Sequence, residues 1–101
     1  MNEPGVKWDG DKRRYDLLPV EALDAIVDVY TYGARKYGDR NWEKGMSWSR
    51  VYAAVLRHLT AFWGKEDIDE DSQMLHLALA ATDIQFLLDY QLKGKGKDDR
   101  P

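Results

Sequence analysis

Apolar residues recur three times in this chain at the spacing of an α-helix, and nowhere convincingly at the alternation of a strand. Val20, Leu23, Ile26, Val27, Tyr30, Ala34 and Tyr37 form the first series. Trp48, Val51, Tyr52, Val55, Leu59, Phe62 and Trp63 form the second. Met74, Leu77, Ala78, Ala81, Ile84, Leu87, Leu88 and Tyr90 form the third. Steps of three and four place side chains on one helical face. The first series predicts a helix over residues 19–37, with Pro19 at its first position, where a missing N–H is harmless. The second predicts a helix capped by Ser47 or Ser49 and stopped at Gly64. The third predicts a helix beginning near residues 67–71, where Asp67 and Glu70 have the spacing of an aspartate-led capping box.

The expected fold class is therefore all-α: a small bundle of three main helices with an irregular N-terminal arm over residues 1–18. The third series is apolar around most of its circumference, as in a central helix or an oligomer contact. A chain of 101 residues has a thin core, so completion of the core by a second subunit is expected. Residues 1–92 read as one helical domain. Residues 93–101, KGKGKDDRP, read as a charged, flexible tail.

Composition narrows the function. A net charge of −3 argues against generic binding of nucleic-acid polymers, which needs a basic surface. The absence of cysteine excludes disulfides, zinc knuckles and thiol nucleophiles. The N-terminus lacks an apolar signal segment, and no 18-residue apolar run is present. The expectation is a cytoplasmic protein with no membrane partner.

Chemistry concentrates between Arg57 and His76. His58 and His76 are the chain's two histidines, and they bracket Glu66, Asp67, Asp69, Glu70 and Asp71. Imidazoles and carboxylates around one helix–helix turn suit a divalent cation. As a helix, this stretch would align Asp69, Ser72, His76 and Asp83 on one stripe. His76 and Asp83 would then stand about 10 Å apart along the axis, too far to share an ion. A metal would have to sit between the second helix and the turn. The same residues also have a structural explanation: carboxylates at a helix start complement its dipole, and a boundary histidine commonly packs or hydrogen-bonds. Glu21, Asp24 and Asp28 offer a second carboxylate set, read more simply as a solvated face.

A basic and aromatic cluster precedes this region. Lys12, Arg13 and Arg14 lie in the arm, and Lys36, Arg40 and Lys44 surround Asn41 and Trp42. Arg and Lys bind phosphates, Asn can read a base edge, and Trp can stack on a base.

Several strings carry a resemblance. They are Asp16-Leu17-Leu18-Pro19, the run from Gly33 to Met46 containing Lys36-Tyr37-Gly38 and Arg40-Asn41-Trp42, Arg57-His58-Leu59, Gly64-x-Glu66-Asp67-x-Asp69, and His76-Leu77-Ala78. Over about residues 7–91 they resemble a phage family, the N-terminal domain of dATP/dGTP diphosphohydrolases, the MazZ-like group. The resemblance implies metal-dependent hydrolysis of purine deoxynucleoside triphosphates to the monophosphate and pyrophosphate. In phages that replace adenine, it implies a supply of dGMP for the substitute purine nucleotide. The reaction is shared with all-α MazG-like pyrophosphohydrolases, whose paired E-x-x-E and E-x-x-D signature this chain lacks. Where the family pattern runs Glu-Ser-Gly-x-x-His-x-x-His, this chain has Asp71, Ser72, Gln73, His76 and Leu79.

The expected site follows. Mg²⁺ or Mn²⁺ would be held by Glu66, Asp69, His58 and His76, with Glu66 and His58 catalytic. Lys36, Arg40, Lys44 and Arg57 would bind the phosphates, and Asn41 and Trp42 the purine base. The rival expectation is a nucleotide-binding phage protein without turnover, a sponge or sensor. A helical adaptor is a third.

Overall fold

The computed structural model describes residues 4–101. The first three residues of the expected arm lie outside that range. The chain is all-α: α1 spans Val20–Tyr37, α2 Trp48–Trp63 and α3 His76–Lys93. Two short 3₁₀ turns, Tyr15–Leu17 and Asn41–Lys44, precede α1 and α2. Among the described residues, β pairing is confined to two isolated bridges, Ser47 with Lys97 and Ile68 with Leu75. No helix among them is long and apolar enough to cross a membrane.

The two long connections explain the bundle. Pro19 stands immediately before α1, and its carbonyl accepts from the Leu23 amide. Gly38 ends α1 at φ 95°, a left-handed conformation that glycine enters without a Cβ clash. α2 and α3 then pair antiparallel, so that His58 near the end of α2 meets His76 at the start of α3. α1 lies against the C-terminal half of α3 through Tyr30, whose hydroxyl donates to Gln85 Oε1 at 2.7 Å. The buried apolar core is small: Val29, Val51, Val55, Ala78, Ala80 and Tyr90.

α3 starts later than the apolar period predicts. Residues 66–75 form a closed loop, not a first helical turn. The Asp67 carbonyl accepts from the His76 amide, so no capping box forms there. Asp69 N–H donates to the Met74 carbonyl and the Asp69 carbonyl accepts from Gln73 N–H. These bonds offer the backbone partners that a helix would otherwise supply.

The C-terminal segment, expected as a flexible tail, runs along the start of α2. Lys97 carbonyl accepts from Trp48 N–H at 2.9 Å, and Lys95 carbonyl accepts from Trp48 Nε1 at 2.9 Å. A Cβ on Gly45 would stand 2.9 Å from Gly96 N, so two glycines permit this approach. Neither serine side chain caps α2: Ser47 makes no capping bond. Asp99 takes that role from the tail, accepting from Ser49 N–H at 2.9 Å and from its hydroxyl. These bonds hold the Asp99 carboxyl below its ordinary value.

Candidate functional site: a histidine–carboxylate cluster

Three groups converge at the end where α2 leaves and α3 enters. One ligand atom each from His58, Asp69 and His76 all lie within 4.8 Å of one another. Each is delivered by a different piece of local structure. His58 projects from the last turns of α2, on the side of the helix facing α3. His76 is the first residue of α3 and is buried. Asp69 sits in the intervening loop.

That loop is built to hold Asp69. Its Oδ2 accepts from Ser72 N–H at 2.9 Å and from Ser72 Oγ at 2.7 Å. This is an aspartate turn, in which the side chain imitates a backbone acceptor. The Ser72 bonds hold the Asp69 carboxyl below its ordinary value, with partial burial opposing them. Gln73 takes φ 62° to close the turn. Glycine, without a Cβ, would enter that conformation freely.

Glu66 is placed by the end of α2. Lys65 adopts φ 69°, its amide donates to Phe62 O, and Glu66 N–H donates to Ala61 O. This pair of bonds is a Schellman ending, with Lys65, one residue past the expected stop at Gly64, in the left-handed position. Glu66 Oε2 then stands 2.6 Å from His76 Nε2. A carboxylate only accepts, so His76 Nε2 carries a hydrogen. His76 Nδ1 faces the other way, 2.9 Å from His58 Nδ1. With Nε2 carrying the hydrogen of a neutral ring, that Nδ1 offers a lone pair, to a His58 Nδ1–H or to a bound ion. Burial, and then the neighbouring His76, push the His58 pKa below its ordinary value. The cluster therefore presents a neutral His58 and an ionised Asp69 near neutral pH, the protonation states that ligate metals.

The donor chemistry fits a divalent ion. Two imidazole nitrogens and a carboxylate form a borderline set that suits Mn²⁺ better than Mg²⁺, which prefers oxygen alone. Glu66 occupies the outer position familiar from carboxylate–histidine–metal arrangements, fixing which ring nitrogen points inward.

The other expected site residues are elsewhere. Trp42 stacks on Phe86, ring centroids 4.7 Å apart and planes 13° apart. Tyr30 meets both rings edge-on, and Tyr90 Oη donates to the Trp42 carbonyl at 2.6 Å. Phe86 lies ten residues along α3 from His76, about 15 Å at helical rise. Asn41 shares the 3₁₀ turn with Trp42. Lys36 stands over the rings of Tyr32 and Tyr37, and Arg40 pairs with Glu43 at 3.4 Å. Lys44 is exposed at the same end. Of the four expected phosphate ligands, Arg57 alone adjoins the cluster, as the chain neighbour of His58. In the arm, Arg14 is engaged with Asp16 at 2.7 Å.

Asp83 completes the surroundings. It lies two turns beyond His76 on α3, and burial raises its pKa to about 6, opposed by the charge of Arg57.

The family described as dATP/dGTP diphosphohydrolase, N-terminal, matches residues 2–100. A dATP/dGTP diphosphohydrolase of Salmonella phage PMBT28 is 29% identical over 96 residues, covering 95% of this chain and 33% of that protein. The chain thus spans about a third of that relative's length. No solved structure matches.

Proposed function

This chain belongs to the dATP/dGTP diphosphohydrolase N-terminal family, and from that premise we propose that it hydrolyses purine deoxynucleoside triphosphates with a divalent ion held by His58, Asp69 and His76. The observation that carries the reading is the convergence of those three ligand atoms within 4.8 Å. The three groups come from α2, the intervening loop and the start of α3, and their bonds to one another, to Ser72 and to Glu66 hold them in place.

A bound divalent ion would supply polarisation of a phosphoryl oxygen and a more acidic water. The chain's own residues supply the rest. His58, Asp69 and His76 hold the ion. Glu66 keeps His76 in the tautomer whose Nδ1 faces inward, and it has a second carboxylate oxygen to take a proton from the attacking water. Arg57 offsets the charge of the triphosphate. Water oxygen bonds to the α-phosphorus, the bridge from α- to β-phosphate breaks, and its electron pair leaves with pyrophosphate. Lys36, over the rings of Tyr32 and Tyr37, and Arg40, paired with Glu43, are given no part in this site. Nucleotide capture without turnover is the second reading. It draws on Leu79, which stands one turn after His76 and offers no ligand.

Incubation with dGTP or dATP and Mn²⁺ or Mg²⁺, followed by product separation, tests both. Deoxynucleoside monophosphate and pyrophosphate are expected, with the signal lost in His76→Ala. Tight nucleotide binding with no turnover under either ion would establish capture instead. Absence of both binding and turnover would overturn the two readings together.

A further inference from the structure

Cations are spread unevenly along the bundle. Three turn bonds, Asn41 N–H to Gly38 O, Glu43 N–H to Arg40 O and Gly45 N–H to Trp42 O, keep the path out of α1 compact. Gly45 then abuts Gly96, just beyond α3. α1 therefore ends beside the end of α3 and runs parallel to it. The Tyr30–Gln85 bond sets the level: α1 begins ten residues before Tyr30, and α3 nine before Gln85. At equal rise per residue, the start of α1 stands level with His76. α2 runs the opposite way, its start held at Lys95 by the Trp48 indole. Of the chain's 15 cations, nine lie in residues 35–50 and 93–100, at the end far from His76. Arg57 and Lys65 lie near the cluster, and the other four, Lys7, Lys12, Arg13 and Arg14, lie in the arm that leads into α1.

A triphosphate at the cluster meets acids. Glu66, Asp67, Asp69, Glu70 and Asp71 lie along the loop, and Glu21 and Asp24 lie at the start of α1. One divalent ion with Arg57 and Lys65 does not balance those carboxylates and a triphosphate together. The arm carries the remaining cations of this end. Residues 4–18 are exposed throughout, and among the described residues their hydrogen bonds stay within the arm. A segment so loosely tied moves at little cost. Lys12 precedes Pro19 by seven residues, a reach of at most about 25 Å when extended. Arg14 is engaged with Asp16, whereas Lys12 and Arg13 have no ion pair among the described residues. Asp9 and Asp11 are the acids beside them. The bond from Lys12 N–H to Asp9 O closes a turn around Gly10, with Trp8 and Arg13 on its two flanks. Trp8 is 91% exposed, an indole open to a flat partner as Trp42 is not.

We propose that the arm closes over the histidine–carboxylate cluster when a nucleoside triphosphate binds there, Lys12 and Arg13 meeting its β- and γ-phosphates and Trp8 stacking on its base. This rests on the nucleotide reading of the cluster. It assigns phosphate and base recognition to residues outside the bundle, and leaves metal binding to His58, Asp69 and His76. Cations on a movable segment are withdrawn from the acidic loop when the site is empty and neutralise the triphosphate when it is filled.

Limited trypsin cleavage of the whole chain, read by mass spectrometry at the bonds after Lys12 and Arg13, tests the closure without needing turnover. The probe is dGTP with a methylene group in place of the oxygen between its α- and β-phosphates, together with Mn²⁺. Cleavage in the arm should slow about tenfold with the probe and Mn²⁺, and not with Mn²⁺ alone. Kinetics with dGTP test the residues. The double variant Lys12→Gln, Arg13→Gln should raise KM about tenfold or more while kcat and the calorimetric Mn²⁺ affinity hold. Trp8→Ala should raise KM about five- to tenfold, with Trp8→Phe restoring most of it. Probe binding by calorimetry with the arm still cut at its original rate, or variants with unchanged KM, overturns the arm's role and leaves the hydrolase reading intact. Arm protection with no turnover of dGTP keeps the closure and overturns hydrolysis instead. An unmodified chain that neither binds the probe nor turns over dGTP overturns both.

Discussion

The two ends of α3 use similar raw material for different purposes. At its start, His58, Asp69, His76 and Glu66 bring polar atoms together. Near its end, Tyr30, Trp42, Phe86 and Tyr90 bring rings together, each with its polar group satisfied or its face covered. Sequence alone marks both ends for ligand chemistry. The structure separates them in space: Trp42 has one face on Phe86 and its carbonyl bonded to Tyr90, whereas His58 and His76 bring two imidazole nitrogens within 2.9 Å beside Asp69.

Trp42→Ala tests the packing end with the largest effect. It removes the stack on Phe86 and opens a cavity under Tyr30, at a cost of about 3 kcal/mol. Urea unfolding should show this loss. If nucleotide affinity collapses while stability holds, the distinction between the two ends fails.

At the polar end, Glu66→Gln should lower Mn²⁺ affinity about tenfold or more, by losing the acceptor that fixes His76. Calorimetric titration checks it, and the circular dichroism should not change. An unchanged affinity would remove Glu66 from the site's outer layer.

Asp83 sharpens the comparison by lying between the ends. Its folded pKa of about 6 is above the unfolded value of 3.8. The fold therefore favours its neutral form, which is stabilising below pH 4 and loses that contribution as pH rises through 6. Asp83→Asn should raise stability at pH 7 by about 1–2 kcal/mol after allowance for solvent screening, and by much less at pH 4. His58 acts in the opposite sense. Its folded pKa lies below 6.5, so its contribution is complete above pH 6.5 and is lost as pH falls through the folded value. Thermal melts across pH 4–8 for the parent, Asp83→Asn and His58→Ala resolve the two slopes.

The smallest expected effect concerns the loop that holds Asp69. Gln73→Gly should stabilise by about 0.5–1 kcal/mol, since φ 62° no longer opposes a side chain. The lost bond from Gln73 Nε2 to Glu70 O works against that gain. A destabilised Gln73→Gly would show that the side-chain bond outweighs the backbone preference.

Much of the bundle is legible from residue order. The first two apolar series locate α1 and α2 to within a residue, because Pro19, Gly38 and the glycines after Tyr37 punctuate them by backbone chemistry alone. The third misplaces the start of α3 because periodicity is blind to competition for backbone hydrogen bonds. Asp69 followed by Ser72 was the available signal, since that spacing closes a turn. Its consequence reaches the site. As a helix, residues 69–76 would hold Asp69 away from an ion on His76; as a loop they fold the carboxylate back onto it.

Sequence by itself determined the all-α class, the family, and the small set of residues able to ligate a metal, since these depend on residue type and spacing along one chain. Tertiary structure decided which of them act together. It joined His58 and His76 across two helices, moved Glu66 to the far nitrogen of His76, set Trp42 against Phe86, and made Asp99 the cap of a helix 50 residues away. Those outcomes turn on distances between segments remote in sequence, which local spacing does not specify.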